Sequence, residues 1–169
     1  MATTKFLGVD TDGSIMNVAC ASTGGATDAN KVPQLDAIGR LSTGMMPIGI
    51  GQDTLSIPAT ENLSAGDFVN IYDNAGAVSV RKADNATTTK YANGYVKLAV
   101  TSGATAVVYM EGGNDTLTGL ATGTRYYLGV TGGFTTTPPT AAGSIIQPLG
   151  IAISTTVLRF EQKDYIKNM

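Results

Sequence analysis

The sequence predicts an all-β chain: a single β-sandwich or β-barrel domain, jelly-roll or tulip-like, carrying an extended N-terminal arm. Three observations predict it. Charged residues make up only 14% of the 169 residues, against about 25% in an average soluble domain. Thr, Val and Ala take their place, and β-branched side chains suit a pleated surface better than a helix. Apolar and polar residues alternate in Phe68-Val69-Asn70-Ile71-Tyr72 and in Tyr95-Val96-Lys97-Leu98, the two-residue period of a half-buried strand. Turn signals then break the chain at short intervals, as sandwiches and barrels require.

Taken in order, residues 1–51 read as an N-terminal hairpin and an extended Gly/Pro-containing arm, and residues 52–169 as the β-sandwich or barrel domain. The hairpin pairs Lys5–Val9 with Ile15–Ala21 around Asp10-Thr11-Asp12-Gly13, where an Asp-Gly step supplies the positive φ of a tight turn. From Gly24 to Gly51 the apolar residues come in pairs between glycines and two prolines, Pro33 and Pro47. Such a segment cannot build its own core and must lie on something else, either wrapping the domain or reaching a neighbouring subunit. The domain offers eight strands: 54–60, 67–72, 77–82, 94–100, 104–111, 125–130, 145–153 and 155–162. Between them fall Asp73-Asn74-Ala75-Gly76, Ser102-Gly103, Gly112-Gly113-Asn114-Asp115, Gly132-Gly133 and Pro138-Pro139, all read as turns or loops.

Composition narrows function by exclusion. The chain has no His, which removes the commonest general base and the commonest zinc ligand together. The net charge of −2 argues against a nucleic-acid partner, which would need clustered Lys and Arg to displace counterions. The one loose basic group, Arg159, Lys163 and Lys167, reads as a solvated C-terminal end. Cys20 is the single cysteine, so no intramolecular disulfide forms, and its neighbours Val18, Ala19 and Ala21 give it the look of a small buried residue. The N-terminus lacks the apolar run of a signal peptide. The longest apolar stretches, 104–110 and 149–153, are far short of a membrane span. The expectation is a soluble product made in the cytosol, without membrane association.

The motifs resolve the same way. Asp10-Thr11-Asp12-Gly13-Ser14 resembles a calcium loop only at its start: positions six and twelve are Ile15 and Ala21, where an EF-hand needs Gly and Glu. The glycines at 112–113 and 129–133 are not followed by helix-forming sequence, so they read as hairpin loops rather than phosphate cradles. Asp67, Asp73, Asp84 and Glu111 sit at strand ends or turns, where acidic residues serve the backbone, and no Lys or amine partner is spaced to activate a Ser or Thr nucleophile. No catalytic residue, metal ligand or cofactor site is predicted. Tyr126 and Tyr127 place one ring on each face of a strand, as a core-and-surface split or as an aromatic sugar-binding platform.

Several stretches carry a family resemblance. Residues Ala29-Asn30-Lys31-Val32-Pro33-Gln34-Leu35-Asp36-Ala37-Ile38-Gly39-Arg40-Leu41 with Met45-Met46-Pro47, then 63–70, 123–129, 135–139 and 147–152, resemble modules of tailed-bacteriophage capsid cement, or decoration, proteins. Related modules occur in phage head and tail fibre proteins. The resemblance spans roughly residues 24–162. It implies an oligomeric β subunit, a trimer in the reading adopted here, on the outer capsid surface, bound to the major capsid protein and to itself and bridging neighbouring capsomers. The other reading it leaves open is a head or tail fibre module that binds host-surface glycan. The residues expected to make inter-subunit or capsid contact are Leu41, Met45, Met46, Pro47, Ile48 and Ile50, because Met adapts to irregular surfaces and Pro stiffens an extended path.

Overall fold

The computed structural model describes residues 6–9, 11–18, 20–21, 31–35, 39–46 and 53–169. Among them there is no α-helix, and the regular structure is sixteen strands and one 3₁₀ turn. The chain divides into two compact units, Met1–Gly51 and Gln52–Met169.

In the first unit, β1 (Phe6–Val9) and β2 (Ile15–Val18) pair antiparallel, from Phe6 opposite Val18 to Val9 opposite Ile15. The turn forms where the Asp-Gly step predicts it: Gly13 has φ 83° and the Ser14 N–H donates to Asp12 Oδ1 at 2.8 Å. Two short strands follow in parallel register: β3 (Cys20–Ala21), which is the end of the run read as one strand over 15–21, and β4 (Val32–Pro33), which the sequence does not announce. Cys20 is half-buried rather than buried, and its thiol is free. The 3₁₀ turn at Thr43–Met45 is closed by the Met45 N–H on the Ser42 carbonyl at 3.0 Å.

The second unit begins with β5 (Thr54–Pro58), β6 (Phe68–Asn74), β7 (Ala77–Lys82), β8 (Gly94–Val96) and β9 (Thr105–Tyr109). They form an antiparallel sheet in the order β5-β9-β8-β6-β7. Its two outer strands meet: Ala59, just past β5, bridges Val80 of β7, and the Thr60 N–H donates to the Val80 carbonyl at 3.0 Å. The sheet thereby closes into a small barrel and spares two edges. Ile57, Val69, Val80, Val96, Ala106 and Val108 fill it, with Ala59 and Leu63 beside them.

A second antiparallel sheet is built from β10 (Gly112–Asn114), β11 (Arg125–Leu128), β12 (Phe134–Thr135), β14 (Pro148–Ala152) and β15 (Leu158–Phe160), ordered β10-β15-β14-β11-β12. It packs on the barrel wall. Phe68 and Tyr95 leave the barrel's outer side to meet Phe160, with ring centroids 5.6 and 5.7 Å away, while Leu128, Leu149 and Leu158 complete a second core. Neighbouring residues Phe68 and Val69 are therefore fully buried on opposite faces of one strand, each in a different core. A short pair, β13 (Ile145–Ile146) with β16 (Ile166–Lys167), holds the C-terminal end. The Asn168 side-chain amide donates to the Pro139 carbonyl at 2.7 Å. That end is paired into the fold, while Arg159, Lys163 and Lys167 are exposed to solvent, as expected of that group.

The all-β class and a sandwich-like arrangement are thus present, with a barrel as one of the two layers. Some details differ from expectation. The strand read over 145–153 is divided into β13 and β14, which belong to different sheets. Gly112-Gly113-Asn114, read as a loop, is strand β10, since its pairing with β15 outweighs the low strand preference of glycine. The ladder of β8 ends at Val96, not Val100, and Leu98 is turned out to 76% exposure.

Candidate interaction surfaces

The outer face of the second sheet is shaped by one irregularity. Tyr126 pairs with Gly150 but Tyr127 pairs with Pro148, so β14 bulges between them. Gly150 has φ 145°, and a Cβ there would collide with the Arg159 carbonyl oxygen. Only glycine fits this backbone. The bulge breaks the alternation of β14, so that Leu149 and Ala152 both point into the core while Ile151 between them points out. Arg125 of β11 and Arg159 of β15 lie directly opposite Ile151 on either side. Cross-strand partners share a face, so an outward row Arg125–Ile151–Arg159 crosses three strands.

This row floors a groove of about 410 Å³, extended by Pro148, Ile153, Glu161 and Lys163. Glu161 and Lys163 pair at 2.9 Å. The Glu161 carboxyl is held below the usual range, first by its hydrogen bond from Lys163 and the Lys163 charge, then by Arg159 and Arg125. Neither arginine's guanidinium forms an ion pair, hydrogen bond or ring contact with another described residue. Arg81 is the opposite case, with its Nε on Asn70 Oδ1 at 3.0 Å, a second nitrogen on the Thr89 carbonyl at 2.9 Å, and its plane 4.0 Å above the Tyr72 ring. In the sequence, Arg159 and Lys163 stand out only as charges near the C-terminus. Their convergence with Arg125 depends on strand order, which a single sequence hides.

A second groove, of about 360 Å³, lies along β8 and β9, lined among others by Leu98, Val100, Val107 and Tyr109. Its one cation is occupied: Lys97 Nζ sits 3.2 Å from Asp115 and 5.1 Å from the Tyr109 ring centroid.

Of the six residues expected to make contacts, Leu41 and Met45 are half-buried and Met46 is exposed in the first unit. Pro47, Ile48 and Ile50 lie outside the described residues. Tyr126, considered for a sugar platform, is buried: its hydroxyl accepts the Ala121 N–H at 2.8 Å and its ring stands edge-on to Phe134. Tyr127 is half-buried, so the pair is a split between core and surface. Three of the four carboxylates at strand ends and turns accept backbone N–H groups. Asp67 accepts the Ser64 N–H at 2.7 Å and pairs with Lys82 at 3.3 Å, Asp73 accepts the Gly76 N–H at 2.8 Å, and Asp84 accepts from Ala86 and Thr131 at 2.9 and 3.2 Å. Glu111 lies with Asp53, Glu161 and Arg159 around a shallow recess. Among the described residues no group of three His, Cys, Asp or Glu side chains could hold a metal ion.

No protein-family model matches the chain, and no curated protein matches it. Among solved structures, the N base of the head fiber protein gp8.5 of bacteriophage phi29 is similar at 12% sequence identity and a TM-score of 0.44, the match covering 68% of this chain and 99% of that one. A likeness of that degree carries no inference about role.

Proposed function

We propose that this chain is a structural protein of a tailed-phage virion, without catalytic activity, that binds the outer capsid surface as a homo-oligomer, a trimer, and stabilises the shell by bridging neighbouring capsomers. The observation that carries the reading is where the second unit places its apolar side chains. Two cores are filled, yet Leu98 and Val107 in one groove and Ile151 and Ile153 in the other remain 43–76% exposed, and apolar side chains exposed together in this way mark protein contact surfaces. Its turn carboxylates, by contrast, are bound to backbone N–H groups, which suits a scaffold better than proton transfer. The resemblance of residues 24–162 to capsid cement proteins supplies the kind of partner. A specific contact needs about 800 Å² per partner, and a trimer touching several shell subunits gains further by effective concentration.

The test is to add purified protein to capsids stripped of it. Regular decoration of the shell by cryo-electron microscopy, with a raised capsid melting temperature, is the expected result. Absence of binding, or binding at the tail alone, removes the capsid reading.

A further inference from the structure

We propose that the groove on the outer face of the second sheet is a docking site for an extended acidic stretch of a partner polypeptide, with carboxylates on Arg125 and Arg159 and apolar side chains on Ile151 and Ile153. The inference rests on the groove alone and stands apart from the capsid reading: the shell could be gripped by another face and leave it untouched.

The first argument is charge. The chain as a whole carries −2, yet here two guanidiniums flank one isoleucine without an ion pair or hydrogen bond to any described residue. Lys163 pairs with Glu161, and although that carboxylate also feels both arginines, three cations face one anion and the groove keeps an excess of positive charge. The arginines' planar forks match carboxylates in bidentate geometry. The second argument is the floor. Ile151 and Ile153 are 43% and 61% exposed beside those cations. A small inorganic anion would engage the arginines and leave the isoleucines wet; a peptide with alternating acidic and apolar residues engages both. The third is spacing. Ile151 and Ile153 are two residues apart, the repeat of same-face side chains in an extended chain, roughly 6–7 Å. The arginines stand two strands apart, roughly 9–10 Å between backbones, which their long side chains can adjust to neighbouring carboxylates. Charged contacts of this kind select the partner and set its register more than they add raw affinity.

The test uses the full-length chain labelled with nitrogen-15. It is titrated with a synthetic peptide of alternating Glu and Leu, with a Lys and Leu peptide of the same length, and with inorganic phosphate. The expected result is that the Glu and Leu peptide shifts the amide signals of Arg125, Ile151, Ile153 and Arg159, while the Lys and Leu peptide does not. An Arg125→Gln, Arg159→Gln double variant should weaken binding by about tenfold or more, and Ile151→Ser should weaken it with both arginines kept. All three positions are exposed, and unchanged spectra elsewhere verify that the variants are folded. The proposal is overturned if the acidic peptide leaves these signals unmoved at millimolar concentration. It is equally overturned if phosphate binds as tightly as the peptide, or if the double variant binds undiminished.

Discussion

At the scale of single residues, the two layers of the second unit are fastened by a side chain that behaves as a piece of backbone. Gln147 is fully buried, its Oε1 accepting the Ala92 N–H at 2.7 Å and its Nε2 donating to the Ala92 carbonyl at 2.8 Å and the Lys163 carbonyl at 3.0 Å. A buried amide so completely paired is stabilising, and removing it strands the Ala92 N–H and carbonyl away from water. Gln147→Leu, close in volume, should therefore lower the unfolding free energy by about 2–4 kcal/mol, read from urea denaturation. Tyr95 gives a pH-dependent counterpart. Its hydroxyl donates to the Gly113 carbonyl at 2.9 Å, and burial, with Asp115 adding, pushes its phenol up from 10.0 to about 12. Between those values the unfolded chain gives up the proton while the folded chain keeps it, so stability falls as pH rises through that window and is untouched below it. The urea midpoint should decline from pH 10 to pH 12. It should decline less in Tyr95→Phe, which begins about 1 kcal/mol less stable for want of the hydrogen bond.

At the scale of elements, the β6–β7 hairpin shows what local sequence can and cannot convey. Asn74 pairs with Ala77 across a two-residue turn whose residues both have positive φ, Ala75 at 54° and Gly76 at 90°. That is the turn type that matches strand twist, and it falls where Asp73-Asn74-Ala75-Gly76 signals it. Ala75 pays a penalty in this conformation that Asn tolerates. Ala75→Asn should thus raise stability by about 1 kcal/mol, checked by the thermal midpoint. Hairpins such as β1–β2 and β6–β7 were legible because turn residues and alternation are local properties. Strand β10 was not, because Gly112-Gly113-Asn114 is extended only through its partner β15. The barrel closure at Ala59 and Val80 was equally hidden, since it joins residues with no common pattern. So was the groove: Arg125 is distant in the chain from Ile151 and Arg159, and the Gly150 bulge that turns Ile151 outward looks, in sequence, like any glycine. Leu41, Met45 and Met46 point to contact by their chemistry alone, and their neighbours Pro47, Ile48 and Ile50 lie outside the described residues.

At the scale of the whole molecule, the distribution of apolar side chains decides what folds by itself. Both hydrophobic clusters consist entirely of residues from Gln52–Met169: the barrel interior runs from Ile57 to Val108, and the layer between barrel and second sheet from Phe68 to Phe160. Their polar interior is equally self-contained. Asn85 donates to the Leu128 carbonyl, Asn114 to the Gly66 carbonyl and Gln147 to Ala92 and Lys163. No buried side-chain nitrogen or oxygen among the described residues lacks a partner. A unit that fills its described cores and satisfies its own buried polar groups has what an independently folding domain requires. A fragment of residues 52–169 should therefore unfold in one cooperative transition, with a midpoint within about 5 °C of the full chain's, the shift that roughly 1 kcal/mol produces in a domain of this size. Differential scanning calorimetry of the two proteins makes the comparison directly. A broad, non-cooperative melt of the fragment would mean that residues 1–51 contribute to the core after all. If the fragment melts as expected, measuring its capsid binding beside that of the full chain separates the two candidate contact regions. Binding lost with residues 1–51 assigns adhesion to the arm, and binding retained assigns it to the grooved faces of the folded unit.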